Sequence, residues 1–295
     1  MSEPALHVVV PGPLDQRTGG YIYDARIVDG LRRRGWRVTV HALEGRFPDG
    51  DAAARAGLGG VLQRLPDGAR VVLDGLAVGG LPGPLEAAGG RLRLVALAHL
   101  LLADETGLDA RIRERYVATE RRALGACAGV IATSEYTAER VASLGVPAGA
   151  VRVVLPGTDP APPAPGPPPG DPPRILCAAT LTPRKGQDVL VRALAALDGL
   201  AWSCVCAGSL TRAPAFAQAV RRQAREAGLA ARIAFPGECG AAEMEALYAA
   251  SSLFVLPSHF EGYGMVLTEA LARGLPVIST TGGAIPRTLP PGGGA

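Results

Sequence analysis

Two spacings of apolar residues alternate along the chain: short uninterrupted runs, and longer stretches in which apolar positions recur every third or fourth residue. The first run is 6–10. The helical pattern after it covers 21–34, with Ile22, Ala25, Val28 and Leu31 on one face. Gly35 stops this helix, and Arg32, Arg33 and Arg34 put positive charge at its carboxyl end, where the macrodipole is negative. Thr18 stands where its cap would be. Further strands are predicted at 38–43, 71–73, 92–98, 130–133 and 151–155, with helical segments between them, including 108–126. A second series runs strand 175–179, helix 187–197, strand 202–207, helix 214–227, strand 232–235 and helix 241–250. Such alternation implies parallel, doubly wound sheets.

The series closes on residues 254–280, FVLPSHFEGYGMVLTEALARGLPVIST, which hold a strand, a glycine-bearing loop, a helix and the start of another strand. Pro257 and Ser258 end the strand, Val266, Ala270 and Leu271 recur at helical spacing over 265–273, and Gly274 ends the helix. The helix N-terminus therefore faces the carboxyl edge of a parallel sheet, where free N–H groups and the positive dipole end bind anions. Glu261 and Glu269 frame it. Carboxylates accept hydrogen bonds from hydroxyls, so the pair suits a polyol with a phosphate between them, and a sugar nucleotide is such a molecule.

Between the two series, residues 156–173 contain ten prolines in eighteen residues, the composition of an extended, fairly stiff linker. The division is then a first Rossmann-like domain over 1–155 on the acceptor side, the linker over 156–173, and a nucleotide-sugar-binding Rossmann-like domain over 174–295. Ligands of such sheets bind outside the carboxyl ends of the strands, which places the expected cleft between the domains. A length of 295 residues suits two domains with cores of their own.

An apolar fraction of 48% and a charged fraction of 19% are those of a globular protein. A net charge of +3, with no interleaving of basic and aromatic residues, argues against a nucleic-acid partner. The five cysteines have no metal-site spacing; Cys204 and Cys206 are too close for a CxxC signal, and buried free thiols are expected. The start of the chain lacks a basic n-region and a long apolar h-region, and no stretch offers the ~20 apolar residues of a span, so a cytoplasmic location is expected. The Ala, Arg, Gly and Pro content points to a GC-rich, bacterial coding source.

The loop TLTPRKGQD follows strand 175–179 and precedes a helix, so Arg184 and Lys185 stand where they can neutralise a diphosphate. Arginine offers a fork to phosphate oxygens and lysine a point charge. Glu44, after the second strand, sits where dinucleotide-binding folds hold ribose, but the first loop lacks GxGxxG, so NAD is not expected.

TLTPRKGQDVL together with FVLPSHFEGYGMVLTEALARGLPVISTTGG closely resembles the retaining glycosyltransferases of family 4. TGGYIYDARIVDGLRRRGW, ADETGL, VIATSEYTAERV and PGTD are similar to family sequence too, so the resemblance covers nearly the whole chain. It implies the GT-B fold, two Rossmann-like domains facing each other across a cleft, and transfer of a hexosyl group from a nucleoside-diphosphate sugar to a hydroxyl acceptor: a glycan, glycolipid or small metabolite. The stereochemical course implied is retention, with the diphosphate itself taking the acceptor's proton. By resemblance, Glu269 binds the ribose hydroxyls and Glu261 approaches the transferred sugar. The backbone of Gly262, Tyr263, Gly264 and Met265 meets sugar and diphosphate, while Arg184 and Lys185 stabilise the leaving group. Gly19 and Gly20 let the first loop approach phosphate or acceptor, and His99 contacts the sugar. No cofactor or metal is implied, since the basic groups take a metal's place.

Some residues depart from the family pattern. Leu100 and Leu101 stand in HLLLADET where relatives read His-Pro, and Arg287 stands in place of a glutamate. Asp104 and Glu105 have two readings, orienting an acceptor or capping the helix from Leu108. Arg111, Arg113, Arg115, Arg121 and Arg122 resemble surfaces with which relatives touch acidic lipids, which would put the protein at the inner face of a membrane; Glu114 and Glu120, interleaved, favour a solvated helix face instead. His259 reads as an exposed loop histidine. The sequence stops fifteen residues after Thr280, which predicts a second sheet incomplete at its edge. Two other functions remain open on the same fold: a truncated or degenerate member that binds nucleotide or an intact partner without turnover, and a sugar-nucleotide epimerase.

Overall fold

The structure, a computed structural model, describes residues 3–197 and 199–292. The chain divides into two compact units, Met1–Pro156 and Gly157–Ala295.

The first unit is a six-stranded parallel sheet of β1 (Ala5–Pro11), β2 (Arg37–Leu43), β3 (Arg70–Asp74), β4 (Arg93–Ala98), β5 (Gly129–Ala132) and β6 (Val151–Val153), in spatial order β2, β1, β3, β4, β5, β6. Its helices are α1 (Gly19–Arg33), α2 (Ala52–Arg64), α3 (Gly75–Val78), α4 (Pro82–Ala88), α5 (Ala110–Gly125) and α6 (Glu135–Ser143). In the sheet, Val8 is level with Val40 of β2 and Val72 of β3. Leu58, Leu62 and Leu85 from α2 and α4 pack with Leu73 and Leu94 on one face, and Tyr21 and Val28 of α1 pack with Leu6, Val8 and Val10 in another cluster.

Several helix starts have a side-chain cause. Asp51 caps α2 by accepting from Ala54 N–H, and Ser134 caps α6 by accepting from Thr137 N–H. Thr18 precedes α1 with no side-chain cap; its carbonyl accepts from Ile22 N–H at 2.9 Å. The capping role assigned to Asp104 or Glu105 is corrected: Asp109 is the cap of α5, its carboxylate 2.7 Å from Ile112 N, and Asp104 instead pairs with Arg140 at 2.7 Å. The helix therefore starts at Ala110, two residues later than its apolar pattern.

Glu120 is corrected as well. It is only 3% exposed and accepts from the backbone N–H groups of Leu102 at 2.6 Å and Ala103 at 3.1 Å, tying α5 to the short 3₁₀ turn Leu102–Asp104 that follows β4. Burial pushes its carboxyl up to about 7 against the pull of those N–H donors.

The second unit holds five parallel strands, β7 (Arg174–Ala178), β8 (Ser203–Ala207), β9 (Ile233–Gly237), β10 (Leu253–Leu256) and β11 (Val277–Ser279), in spatial order β11, β10, β7, β8, β9. Helices α7 (Gln187–Ala195), α8 (Pro214–Glu226), α9 (Ala241–Ala249), α10 (Met265–Ala272) and α11 (Ile285–Thr288) complete it. Leu190, Val191 and Val220 cover one face with Cys177, Cys204 and Cys206, which are buried free thiols; Phe254, Leu256 and Leu267 fill the other cluster. The proline-rich stretch before β7 has no helix or strand, and three of its groups are tied to this unit: Thr158 Oγ1 donates to Thr268 Oγ1 at 2.7 Å, Ala164 N to Arg273 O at 2.8 Å and Gly166 N to Ala249 O at 3.0 Å. Among the described residues, no helix is long and apolar enough to cross a membrane.

Candidate functional site

In the second sheet the chain builds β8 and β9 to one side of β7, then returns to build β10 and β11 on the other. The connections after β7 and β10 therefore diverge to opposite faces, which opens a crevice at the carboxyl ends of these two strands. The loop after β7 carries Arg184 and Lys185, and the loop after β10 carries Glu261.

These three side chains meet. Lys185 Nζ lies 2.5 Å from Glu261 Oε1 and Arg184 Nη1 lies 3.5 Å from Oε2, while Ser258 Oγ donates to Oε1 at 2.6 Å. Glu261 is 5% exposed. Burial by itself would raise its carboxyl, but the charges of Lys185 and Arg184 and the hydrogen bonds from Lys185 and Ser258 outweigh it, so the group is held below the ordinary glutamate range. Burial is also the largest influence on Lys185 and lowers it, with Glu261 opposing. Two basic side chains thus share the Glu261 carboxylate at the mouth of the sheet.

Backbone contacts hold the two loops together. Gly186 adopts a left-handed φ of 66° and lies so close to the second loop that a Cβ there would fall 2.2 Å from Pro257 O. His259 N donates to Arg184 O at 2.8 Å, and Ala284 N donates to Glu261 O at 2.8 Å. Gly264, with φ 89°, turns the chain directly into α10, so residues 262–265 run from the buried glutamate to the helix N-terminus. Glu269 lies one turn into α10 and accepts from Tyr248 OH at 3.0 Å; Arg273 stacks over the Tyr248 ring at 4.5 Å and donates to Glu269 O at 2.9 Å. Glu269 Oε2 and O are thus hydrogen-bonded to Tyr248 and Arg273, not to Arg184 or Lys185. His259 is exposed.

The first sheet has its own change of winding, between β1 and β3. Gly19 and Gly20 open α1 after β1, and His99 follows β4. The His99 ring lies over Gly20, where a Cβ would be 3.3 Å from Cδ2, and packs edge-on to Tyr23 with ring centroids 5.3 Å apart. Two residues that the sequence did not mark join it. His99 Nε2 is 2.9 Å from Asp24 Oδ1 on α1 and 3.6 Å from Asp74 Oδ2 at the end of β3. Asp74 Oδ1 meanwhile caps α3, accepting from Leu76 N–H at 2.7 Å and Ala77 N–H at 3.3 Å. Burial and the neighbouring Asp24 raise Asp74 to about 7, against the pull of His99. For His99, burial lowers the ring, but the hydrogen bond and charge of Asp24 and the charge of Asp74 prevail and raise it. These three residues are the one group of three or more His, Cys, Asp or Glu among the described residues whose side-chain nitrogen, sulfur or oxygen atoms lie within 4.8 Å of one another. The 2.9 Å Nε2–Oδ1 separation is that of an ordinary hydrogen bond between ring and carboxylate.

Residues 22–162 match the family described as Glycosyltransferase Family 4, and residues 162–294 match Glycosyl transferases group 1. A GDP-mannose-dependent alpha-(1-6)-phosphatidylinositol monomannoside mannosyltransferase of Mycolicibacterium smegmatis is 31% identical over 278 residues, covering 87% of this chain and 69% of the relative. The enzyme of that name from Mycobacterium tuberculosis is 32% identical over 177 residues, covering 53% of this chain and 44% of the relative. Among solved structures, sucrose-phosphate synthase from Thermosynechococcus elongatus superposes with a TM-score of 0.79 at 18% identity, over 98% of this chain and 84% of the neighbour, which shows the shared fold.

Proposed function

The chain belongs to the family 4 glycosyltransferases of GT-B fold, and from that premise we propose that it transfers a hexosyl group with retention, without a metal, from a nucleoside-diphosphate sugar to a hydroxyl acceptor. The observation that carries this reading is the convergence of Arg184, Lys185 and Glu261 at the winding change of the second sheet, beside the N-terminus of α10. A departing diphosphate develops negative charge, and preorganised cations stabilise it most effectively where burial lowers the dielectric. Arg184 and Lys185 supply that charge and so take the role a metal ion has in other transferases.

In this mechanism the donor's diphosphate lies against Arg184, Lys185 and the backbone of residues 262–265, and the ribose hydroxyls donate to Glu269. Glu261 holds the two basic side chains in place and approaches the transferred sugar. The bond from the anomeric carbon to the phosphate oxygen breaks as the acceptor oxygen bonds to the same face. The acceptor's proton passes to the departing diphosphate oxygen. The mycobacterial relatives are named for GDP-mannose and a mannosylated phosphatidylinositol, so GDP-mannose heads the donors to be tested and a glycolipid the acceptors. A cytoplasmic protein with peripheral membrane contact fits such an acceptor.

The test is sugar release and transfer from a panel of GDP-, UDP- and ADP-sugars, with anomeric configuration read by NMR and chelator included throughout. Lys185→Ala is expected to lower kcat by about a hundredfold or more, ~3 kcal/mol of leaving-group stabilisation, and Glu269→Ala to raise the donor KM. Turnover indifferent to both substitutions removes the site; product of inverted configuration, or loss of activity on chelation, removes the corresponding part of the mechanism.

A further inference from the structure

Helix α9 sends one aromatic side chain into the core of the second unit, and that side chain ends on a carboxylate. Tyr248 is 2% exposed, and its ring stacks on Phe254 with centroids 6.0 Å apart, in the cluster that also holds Leu256, Leu267 and Ala270. Its hydroxyl donates to Glu269 Oε2 on α10 at 3.0 Å. Core packing alone does not call for the hydroxyl, since a phenylalanine ring would fill the same space and bury no polar oxygen. What the hydroxyl adds is a fixed attachment for one oxygen of Glu269.

The surroundings hold that attachment in place. Arg273, at the end of α10, lies over the Tyr248 ring at 4.5 Å, donates through Nη1 to Glu269 O at 2.9 Å and pairs through Nη2 with Glu245 of α9. Its Nε is buried with no hydrogen-bond partner among the described residues, a cost that a half-exposed ion pair with Glu245 does not offset by itself. Burial and the charge of Glu269 push the Tyr248 phenol well above its ordinary value, so the hydroxyl stays a donor through the working range. Glu269 is half-buried, and its Oε1 has no hydrogen-bond partner among the described residues.

A carboxylate free at both oxygens turns about its last bond and presents its acceptor sites in any plane. With Oε2 attached, the plane is set, and Oε1 and the remaining site of Oε2 face a ligand together. Two neighbouring hydroxyls on one ring match that arrangement.

We propose that Tyr248 is a positioning residue: by holding Oε2 it sets the plane in which Glu269 receives the 2′ and 3′ hydroxyls of the donor's ribose, and so makes the site select ribonucleotides over deoxyribonucleotides. This rests on the ribose contact of Glu269 proposed above and adds to it the residue that orients the carboxylate and the selectivity that results. Tyr248, Glu269 and Arg273 all belong to the second unit. A fixed carboxylate cannot turn to another partner when a hydroxyl is missing, so the analogue without it is rejected. The ribose is remote from the bond that breaks, so the effect falls on donor binding rather than on the chemical step.

The experiment is calorimetric titration of the full chain with GDP or UDP, whichever binds, and with its 2′,3′-dideoxy counterpart, for the wild type, Tyr248→Phe and Glu269→Ala. The ratio of the two affinities is the readout, because a merely structural role for Tyr248 would weaken both nucleotides alike. The wild type is expected to favour the ribonucleotide by about tenfold or more. Tyr248→Phe is expected to lower that ratio about fivefold by weakening the ribonucleotide alone, with the melting temperature unchanged or raised. Donor KM should rise by a similar factor while kcat stays within about twofold. Arg273→Met, which removes the guanidinium over the ring, is expected to lower the ratio by less and serves as the second variant if Tyr248→Phe folds poorly.

A ratio lost in Glu269→Ala but kept in Tyr248→Phe overturns this inference alone, and so does a Tyr248→Phe variant that weakens both nucleotides equally. A ratio that survives Glu269→Ala overturns the ribose contact of Glu269, and the role of Tyr248 falls with it. A wild type that binds neither nucleotide overturns the function proposed above and this inference together.

Discussion

Glu261 is a buried carboxylate whose two basic neighbours are themselves largely buried, so its ionisation is tied to the fold as well as to the ligand. Because its folded value lies below the ordinary glutamate value, it contributes stability that is present above that ordinary value and is lost as pH falls through the folded one. Glu261→Gln leaves Lys185 buried beside a neutral amide, and breaking a buried pair by removing one partner costs about 3 kcal/mol. Urea unfolding at a series of pH values checks this: the variant should be destabilised near neutrality, and the gap should close as the wild type takes up its proton in acid. A gap independent of pH would mean that packing, not charge, holds the loop. Arg184, Lys185 and Glu261 were legible in the sequence because each lies in a short loop between a strand and a helix, and its place at a strand end follows from local pattern. Asp24 and Asp74 were not legible. Asp24 occupies one polar position in a helical stretch full of them, and only the alignment of β1, β3 and β4 brings it to a histidine 75 residues away. Glu120 misled for a related reason: among arginines it reads as a solvated helix face, while its partners are backbone N–H groups, which no residue pattern reveals.

At the scale of elements, strand and helix positions follow the apolar spacing closely, and β8 at 203–207 differs by one residue from the strand expected over 202–207. Helix ends shift where a cap overrides periodicity, as at Asp109. What the spacing does not show is how near two loops must come. Gly186 is the clearest case, since it combines a φ of 66° with a neighbouring carbonyl where its side chain would be. Gly186→Ala is expected to cost about 2 kcal/mol or more in backbone strain and loop displacement, and to weaken donor binding, because the displaced segment carries Arg184 and Lys185. Gly228→Ala is the comparison, at φ 73° with nothing within 4 Å of the added Cβ. It should lose only the strain component. Thermal melts together with calorimetric titration of GDP and UDP distinguish the two; equal donor affinity in both variants would show that the close approach of the loops does not shape the anion site.

At the scale of the whole molecule, each unit closes a parallel sheet around cores of its own. Core clusters join β1 to β6 to their helices and β7 to β11 to theirs, and Thr158, Ala164 and Gly166 of the proline-rich stretch are hydrogen-bonded to residues of the second unit. The alternation of strand and helix made this two-sheet plan legible from the sequence, since neighbouring parallel strands need helical crossovers. The order of strands within each sheet was not legible, yet that order selects the crevice and decides which loops meet. The donor's phosphates and ribose are assigned wholly to second-unit residues: Arg184, Lys185, the backbone of 262–265 and Glu269. Residues 157–295 expressed alone are therefore expected to fold and to bind GDP or UDP, though without transferring sugar. A ligand that binds only the folded form stabilises it by about 2.7 kcal/mol at a hundredfold excess over Kd, so nucleotide should raise the melting temperature of the isolated unit, and Lys185→Ala should abolish the rise. In the full chain, the transition that moves with nucleotide should be the one the isolated unit reproduces. If the isolated unit folds but is indifferent to both nucleotides, its residues do not suffice for the diphosphate, and the anion site built on Lys185 and Glu261 has to be abandoned.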